Sequence, residues 1–146
     1  MSAERALLAA VRDAVLAHSE LAALIGARVY DDAPPEAIFP YVTVGRVETR
    51  PSDASTAAAL EHGVTLHAWS RYGGRAETLS IVAAIRDALH HAALDVEAQR
   101  LVLLLVTFTD VFRSGDGRTT HGVVRLRAVT EAEWEFSWQA KRDATS

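Results

Sequence analysis

Two long apolar stretches separated by a short run of turn formers constrain this chain most. "RLVLLLVTFTDVF" (100–112) is followed by "SGDGR" (114–118) and then "TTHGVVRLRAVTE" (119–131). Asp and Gly tolerate positive φ, so 114–118 reads as a hairpin turn. The second stretch alternates: Val124, Leu126 and Ala128 face one way, Arg125 and Arg127 the other. The first is nearly all apolar at its start, and its length and β-branching favour a buried central strand over a helix.

The rest of the chain supplies a second pair of strands and the helices. Residues 3–18 place Leu7, Leu8, Val11, Ala14 and Val15 on one helical face. Ser19 can cap a short helix over "ELAALI", which Gly26 can end. "RVYDDAPPEAIFP" reads as loop, because Pro34-Pro35 forbids regular structure and Pro40 biases Phe39 to an extended shape. "YVTVGRVETR" (41–50) reads as a strand, and the small polar "PSDASTAA" (51–58) as a loop. In the strand "LEHGVTLHAWS" (60–70), Val64, Leu66 and Ala68 share one face and Thr65, His67 and Trp69 the other. Residues 75–91 form a helix with Thr78, Ile81, Val82, Ile85, Ala88 and Leu89 as its buried stripe. The order predicts an α+β domain: an antiparallel sheet of about four strands, with N-terminal helices and one long helix packed on one face. One domain over 1–131 is expected, followed by a C-terminal aromatic arm over 132–146. With 146 residues the chain can bury a core without staples.

Chemical motifs are sparse. The chain has no cysteine, which excludes disulfides, thiolate zinc sites and Cys nucleophiles. Net charge is −4, which gives no broad attraction to nucleic acid. No apolar run reaches the roughly 18 residues of a membrane span, so no membrane partner is expected. The stretch "HAWSRYGGRAETL" (67–79) raises the question of an anion site, since Gly-rich turns at helix starts can cradle phosphate. A P-loop needs Lys and Ser/Thr after its last Gly, and here Gly74 precedes Arg75 and Ala76. The glycines therefore turn the chain. The six histidines do not group in sequence, HExxH and GxSxG are absent, and His121 reads as a surface residue beside the hairpin. No metal, no cofactor and no enzymatic activity are expected.

If their strands are neighbours, Arg125 and Arg127 form a basic stripe with Thr65, His67 and Trp69. Such a stripe is either a solvated sheet face or a face covered by another subunit, where Arg and Trp are favoured. Further candidate contacts are Arg50, Ser52, Asp53 and Ser55 in and beside the polar loop. Trp134, Phe136 and Trp138 alternate with polar residues in the arm. The arm either seals its own domain's core as a last strand or adds to a neighbour.

"FPYVTVG" (39–45), "EHGVTLHAWSRYGGRAE" (61–77), "AAIRDALH" (83–90) and "DGRTTHGVVRLRAVTE" (116–131) resemble, in order and spacing, the tail completion or tail terminator family of long-tailed phages and gene transfer agents. The "H-x-W-S-R-x-G-G" stretch is the most telling piece, and the similarity covers roughly residues 4–131. It implies a structural neck protein, usually a hexamer, that caps the tail tube and joins it to the head-side connector or stopper protein. DNA would pass through its channel without sequence-specific binding. The resemblance implies no catalytic residues and no cofactor. It implies synthesis in the producing cell's cytoplasm and a final place at the neck of the particle. A non-viral adaptor of the same fold, for example in a phage-derived injection apparatus, is the alternative.

Overall fold

The computed structural model of the protein describes residues 1–52 and 59–133. The expected loop residues Asp53 and Ser55, and the arm residues Trp134, Phe136 and Trp138, lie outside the described residues. Helix α1 (Ala3–Ala17) starts at Ser2, whose hydroxyl accepts from the Arg5 N–H at 3.2 Å. Helix α2 (Ser19–Ile25) is capped by His18 rather than Ser19. The His18 Nδ1 accepts from the Leu21 N–H at 3.4 Å, which leaves Nε2–H to donate to Asp87 at 2.8 Å. One imidazole thus caps one helix and ties it to the next. Strands β1 (Val29–Tyr30), β2 (Tyr41–Pro51) and β3 (Ala59–Ser70) follow. Helix α3 (Ala76–Leu89) and the hairpin strands β4 (Gln99–Arg113) and β5 (Thr120–Ala132) complete the described fold.

The sheet order is β1-β2-β3-β5-β4. The α+β class is as the sequence predicts, but the sheet is five-stranded and mixed rather than four-stranded and antiparallel. The extra strand is β1, which pairs in parallel with β2 through Val29–Val42 and Tyr30–Thr43. It hides in the proline-rich stretch because only two residues pair, with Val29 buried and Tyr30 edge-on to Tyr41. Nor is there a single long helix: α1 matches α3 in length.

A second correction concerns β4. Its apolarity predicts a central strand, yet it is the edge strand, and β5 takes the place between β3 and β4. Irregularities between Leu101 and Leu103 and between Val106 and Phe108 shift its register. They break the strict alternation that would bury one face, so only Leu104 among its residues is fully covered. Val102, Phe108 and Phe112 are left exposed.

The core lies between the helices and one sheet face. Leu7, Val11 and Val15 of α1 and Ile81, Ile85 and Leu89 of α3 pack with Val64, Leu66 and Ala68 of β3 and with Val124, Leu126 and Ala128 of β5. The sequence periods place all of these residues as found. Helix and sheet come close at Gly122, where an added Cβ would lie 2.8 Å from Val82 Cγ2 and 2.9 Å from Thr78 Cγ2. His62 is fully buried on this same face, opposite to His67 as their spacing requires. Its ring nitrogens meet Thr49 Oγ1 at 3.0 Å and Thr130 Oγ1 at 2.9 Å, which satisfies both. The paired glycines turn the chain into α3: Gly73 has φ +94°, a value that costs glycine little and other residues much.

Candidate functional site

The helices cover one sheet face and leave the other open. Antiparallel pairing of β3 with β5 sets Thr65 opposite Arg125, His67 opposite Val123 and Trp69 opposite His121. His67, Trp69, Arg125 and Arg127 therefore share the open face, as their alternation predicts. Arg50 joins them, because β2 runs on to Pro51 and sets Arg50 opposite Glu61. The strand thus runs one residue further than the sequence predicts: Pro51 is its last residue, and the Ser52 N–H donates to the Ala59 carbonyl at 3.0 Å. Ser52 stands beyond the end of β2.

Two patches make up the face. The first is a shallow trough of about 710 Å³ whose lining includes Arg46, Glu48, Arg50, Glu61, Arg125 and Arg127. Glu61 organises it. Its carboxylate accepts from Arg127 Nε at 2.5 Å and pairs with Arg50 at 3.8 Å. The Arg127 hydrogen bond, with the charges of Arg127 and Arg50, holds the Glu61 carboxyl below the usual carboxylate range. Arg125 lies over the Phe108 ring at 4.8 Å and has no carboxylate within ion-pair distance among the described residues.

The second patch is an aromatic stack. Trp69 and His121 lie nearly parallel with ring centroids 4.0 Å apart, and Phe112 tilts against His121 at 4.8 Å. The indole N–H of Trp69 donates to Thr43 Oγ1 at 3.0 Å. His67 Nδ1 and His121 Nε2 are 2.7 Å apart, so one ring donates and the other accepts. Burial pushes both histidines below their ordinary pKa, and the nearby His67 lowers His121 further while Asp110 acts against it. The sequence reading that histidines do not group, with His121 a plain surface residue, is thus corrected: strand register joins rings 54 positions apart. His121 was findable, since it stands four residues before Arg125 and so shares its face. Phe108 and Phe112 were not, because the bulges in β4 hide their side from the period.

These groups can grip a surface by charge and stacking. Among the described residues no group of three His, Cys, Asp or Glu could hold a metal ion, and no helix is long and apolar enough to cross a membrane.

Comparison with known proteins decides the family. The profile described as "Tail completion protein gp17" matches residues 9–131. The chain belongs to this family of tail completion proteins. Its similarity to the "Tail completion protein gp17" of Bacillus phage SPP1 is 28% identity over 91 residues, covering 61% of this chain and 66% of that protein. The chain thus spans just under two thirds of that relative's length. A chain in the structure titled "Virion of native gene transfer agent (GTA) particle" superposes with a TM-score of 0.79 at 30% identity, covering 86% of this chain and 95% of that one. The solved SPP1 gp17 protein shares the fold, with a TM-score of 0.58 at 23% identity over 86% of this chain and 89% of that one. The family is thus one of tail completion proteins, and the matched gene transfer agent chain is itself part of a virion.

In this tail completion protein one glycine holds the stack open. A Cβ at Gly45 would collide with the His67 ring, with Cδ2 only 2.7 Å away, and would sit 3.3 Å from the Thr65 carbonyl. Gly45 lies at the β2 irregularity between Val44 and Val47. Gly45→Ala is expected to swing His67 away from His121 while the helix-side core stays intact. The check is NMR titration of the histidine ring protons: coupled shifts of His67 and His121 should vanish in the variant. Unchanged coupling would show that the ring has room.

Proposed function

We propose that this protein forms a closed homomeric ring, a hexamer, at the neck of a tailed phage-like particle. The ring caps the tail tube and joins it to the head-side connector or stopper. DNA crosses its channel without sequence-specific contacts. Its role is mechanical rather than catalytic. It is made in the producing cell's cytoplasm and ends at the neck.

The match to a chain of a gene transfer agent virion, over nearly the whole of that chain, carries this reading. The open face fits it. An open face carrying both a charged trough and a half-buried aromatic stack is suited to docking on a large partner. On this reading Arg50, His67, Trp69, Arg125 and Arg127 contact the tail tube or a neighbouring subunit. Asp53, Ser55, Trp134, Phe136 and Trp138 remain proposed contacts on sequence grounds, as does Ser52.

The test is cryo-electron microscopy of particles carrying a tagged copy, together with particles from cells lacking the gene. The expected result is a ring of tag density at one end of the tail, and separate heads and tails when the gene is missing. Tag density spread along the tube, or a single copy at the neck, would overturn the reading.

A further inference from the structure

The two flanks of the sheet carry opposite charge. At the hairpin end of β4, the hairpin turn and the Gly73-Gly74 turn border an open cleft of about 370 Å³ lined by Arg71, Arg113 and Arg118. Arg113 and Arg118 have no carboxylate within ion-pair distance among the described residues. Arg71 lies over the Phe39 ring of its own chain at 4.2 Å and has Asp116 at 3.9 Å, a carboxylate already committed. Its oxygens accept from the Thr119 and Arg118 N–H groups and the Thr119 hydroxyl, each at 2.8 Å, which holds its pKa down to about 2. The cleft is thus a knot of incompletely neutralised positive charge on a chain of net charge −4. Gly73, Gly74 and Gly117 open onto it, with nothing within 4 Å of where a side chain would start. Next to Arg113 in sequence is the exposed Phe112, on the open face of an edge strand whose outer side is paired by no strand among the described residues.

The other flank is its complement. Strand β1 is the opposite edge of the sheet, and the segment after it, "DDAPPEAI" (31–38), carries Asp31, Asp32 and Glu36, all exposed. None of the three has an ion-pair partner within 4.0 Å among the described residues, although Arg5 and Arg12 line the same hollow as the two aspartates. Ile38, at the end of the segment, is 68% exposed.

A ring closes only if each copy offers two different surfaces that fit each other. Resting on the ring reading above, we propose that the 31–38 segment of one copy docks on the β4 flank of the next. Its carboxylates enter the Arg71/Arg113/Arg118 cleft, and Ile38 meets the apolar edge at Phe112. Arginine suits this role because its planar fork matches a carboxylate. An acidic protein segment is a better occupant than a nucleic-acid backbone. A backbone would be tracked by a continuous basic groove, whereas this cleft is a local cluster of three arginines.

The absence of native cysteine makes the contact directly readable. Full-length protein carrying both Asp32→Cys and Arg113→Cys is assembled into particles and treated with a short bismaleimide. A ladder of covalent multimers is expected, its top rung giving the ring size, with neither single variant producing it. In parallel, Arg113→Glu/Arg118→Glu should cut joined particles by about tenfold or more, since breaking paired charges at an interface costs that much. Adding Asp31→Arg/Asp32→Arg to the same chain should restore them. Thermal melting of each purified variant should stay at the wild-type value, because every changed residue is exposed. Multiple copies at the neck without a ladder would overturn this contact and leave the ring standing. No copies at the neck would sink the ring reading itself. Loss of joined particles from the arginine changes alone, with no effect of the aspartate changes and with DNA leaking from filled heads, would assign the cleft to nucleic acid and overturn the proposal.

Discussion

Gly122→Ala is expected to destabilise the protein by roughly 1–3 kcal/mol, the usual cost of forcing an extra methyl into a packed site. Helix α3 rests on β5 here, and the Cβ would meet three side chains at once: Val82, Thr78 and, at 3.3 Å, Ala68. Two of these belong to the helix and one to the neighbouring strand, so no single rotamer change relieves the clash. The helix must lift. Gly63 supplies the control. It lies on β3 with nothing closer than 3.9 Å to a would-be Cβ, and that contact is the flexible Glu48 side chain. Gly63→Ala should be neutral or slightly stabilising, because alanine reduces the freedom of the unfolded chain. Urea denaturation of both variants checks the pair. Equal midpoints for Gly122→Ala and wild type would mean that α3 sits further from the sheet than described.

The contrast between these glycines shows what was legible in the sequence. Periodicity identified the helix stripes of α1 and α3 and the two faces of β3 and β5, because each has one wet side and one dry side. It therefore found His67, Trp69, Arg125 and Arg127 as one stripe. Nothing local distinguishes Gly122 from Gly63; only the placement of α3 does. The position of β4 was misread for a related reason. A run such as Leu101–Val106 looks the same whether covered by neighbouring strands or by another molecule. The edge location came from the hairpin register, which is a property of the whole sheet. Strand β1 escaped because two residues are too few to show a period. The His67–His121 pair and the Glu61–Arg127 pair join positions far apart in sequence, and only pairing between strands brings them together. The arginine cleft is of the same kind. Arg71, Arg113 and Arg118 come from three different segments, and the glycines read as simple turns also shape its walls.

Stability is expected to fall as pH drops below about 6.5, the ordinary histidine value. Three rings carry the effect. Burial lowers the pKa of His62, with Glu4 acting weakly the other way, and burial lowers both His67 and His121. Above the ordinary value neither the folded nor the unfolded chain protonates these rings, and stability is at its full level. Below it the unfolded chain takes up protons that the folded chain refuses. The unfolded state then binds more protons, so stability declines with falling pH. The decline ends only once pH has passed the lowered folded values. Each unit of lowering is worth about 1.4 kcal/mol, and three rings act together. His62 can accept a proton only inside the core, between two threonine hydroxyls. The His67–His121 pair has room for one proton between its nitrogens; a second places two cations 2.7 Å apart. Asp110 acts against the lowering of His121, while burial and the neighbouring His67 favour it. The measurement is the melting temperature of purified protein from pH 7.5 to 5. His121→Phe keeps a ring against Trp69 while removing the proton competition, so its curve should be flatter than that of wild type. His62→Gln should flatten it further by removing the core ring. A melting temperature constant over this range would show that the histidines titrate as in the unfolded chain. A slope unaltered by both substitutions would place its origin in other groups. The carboxylates add a separate loss at lower pH. Asp116, held at about 2, stabilises the hairpin turn above the ordinary carboxylate value and loses that contribution as pH falls through its own. An acid step near neutrality and a second far below it are therefore distinct in cause: the first belongs to the two sheet faces, the second to the turn that shapes the arginine cleft.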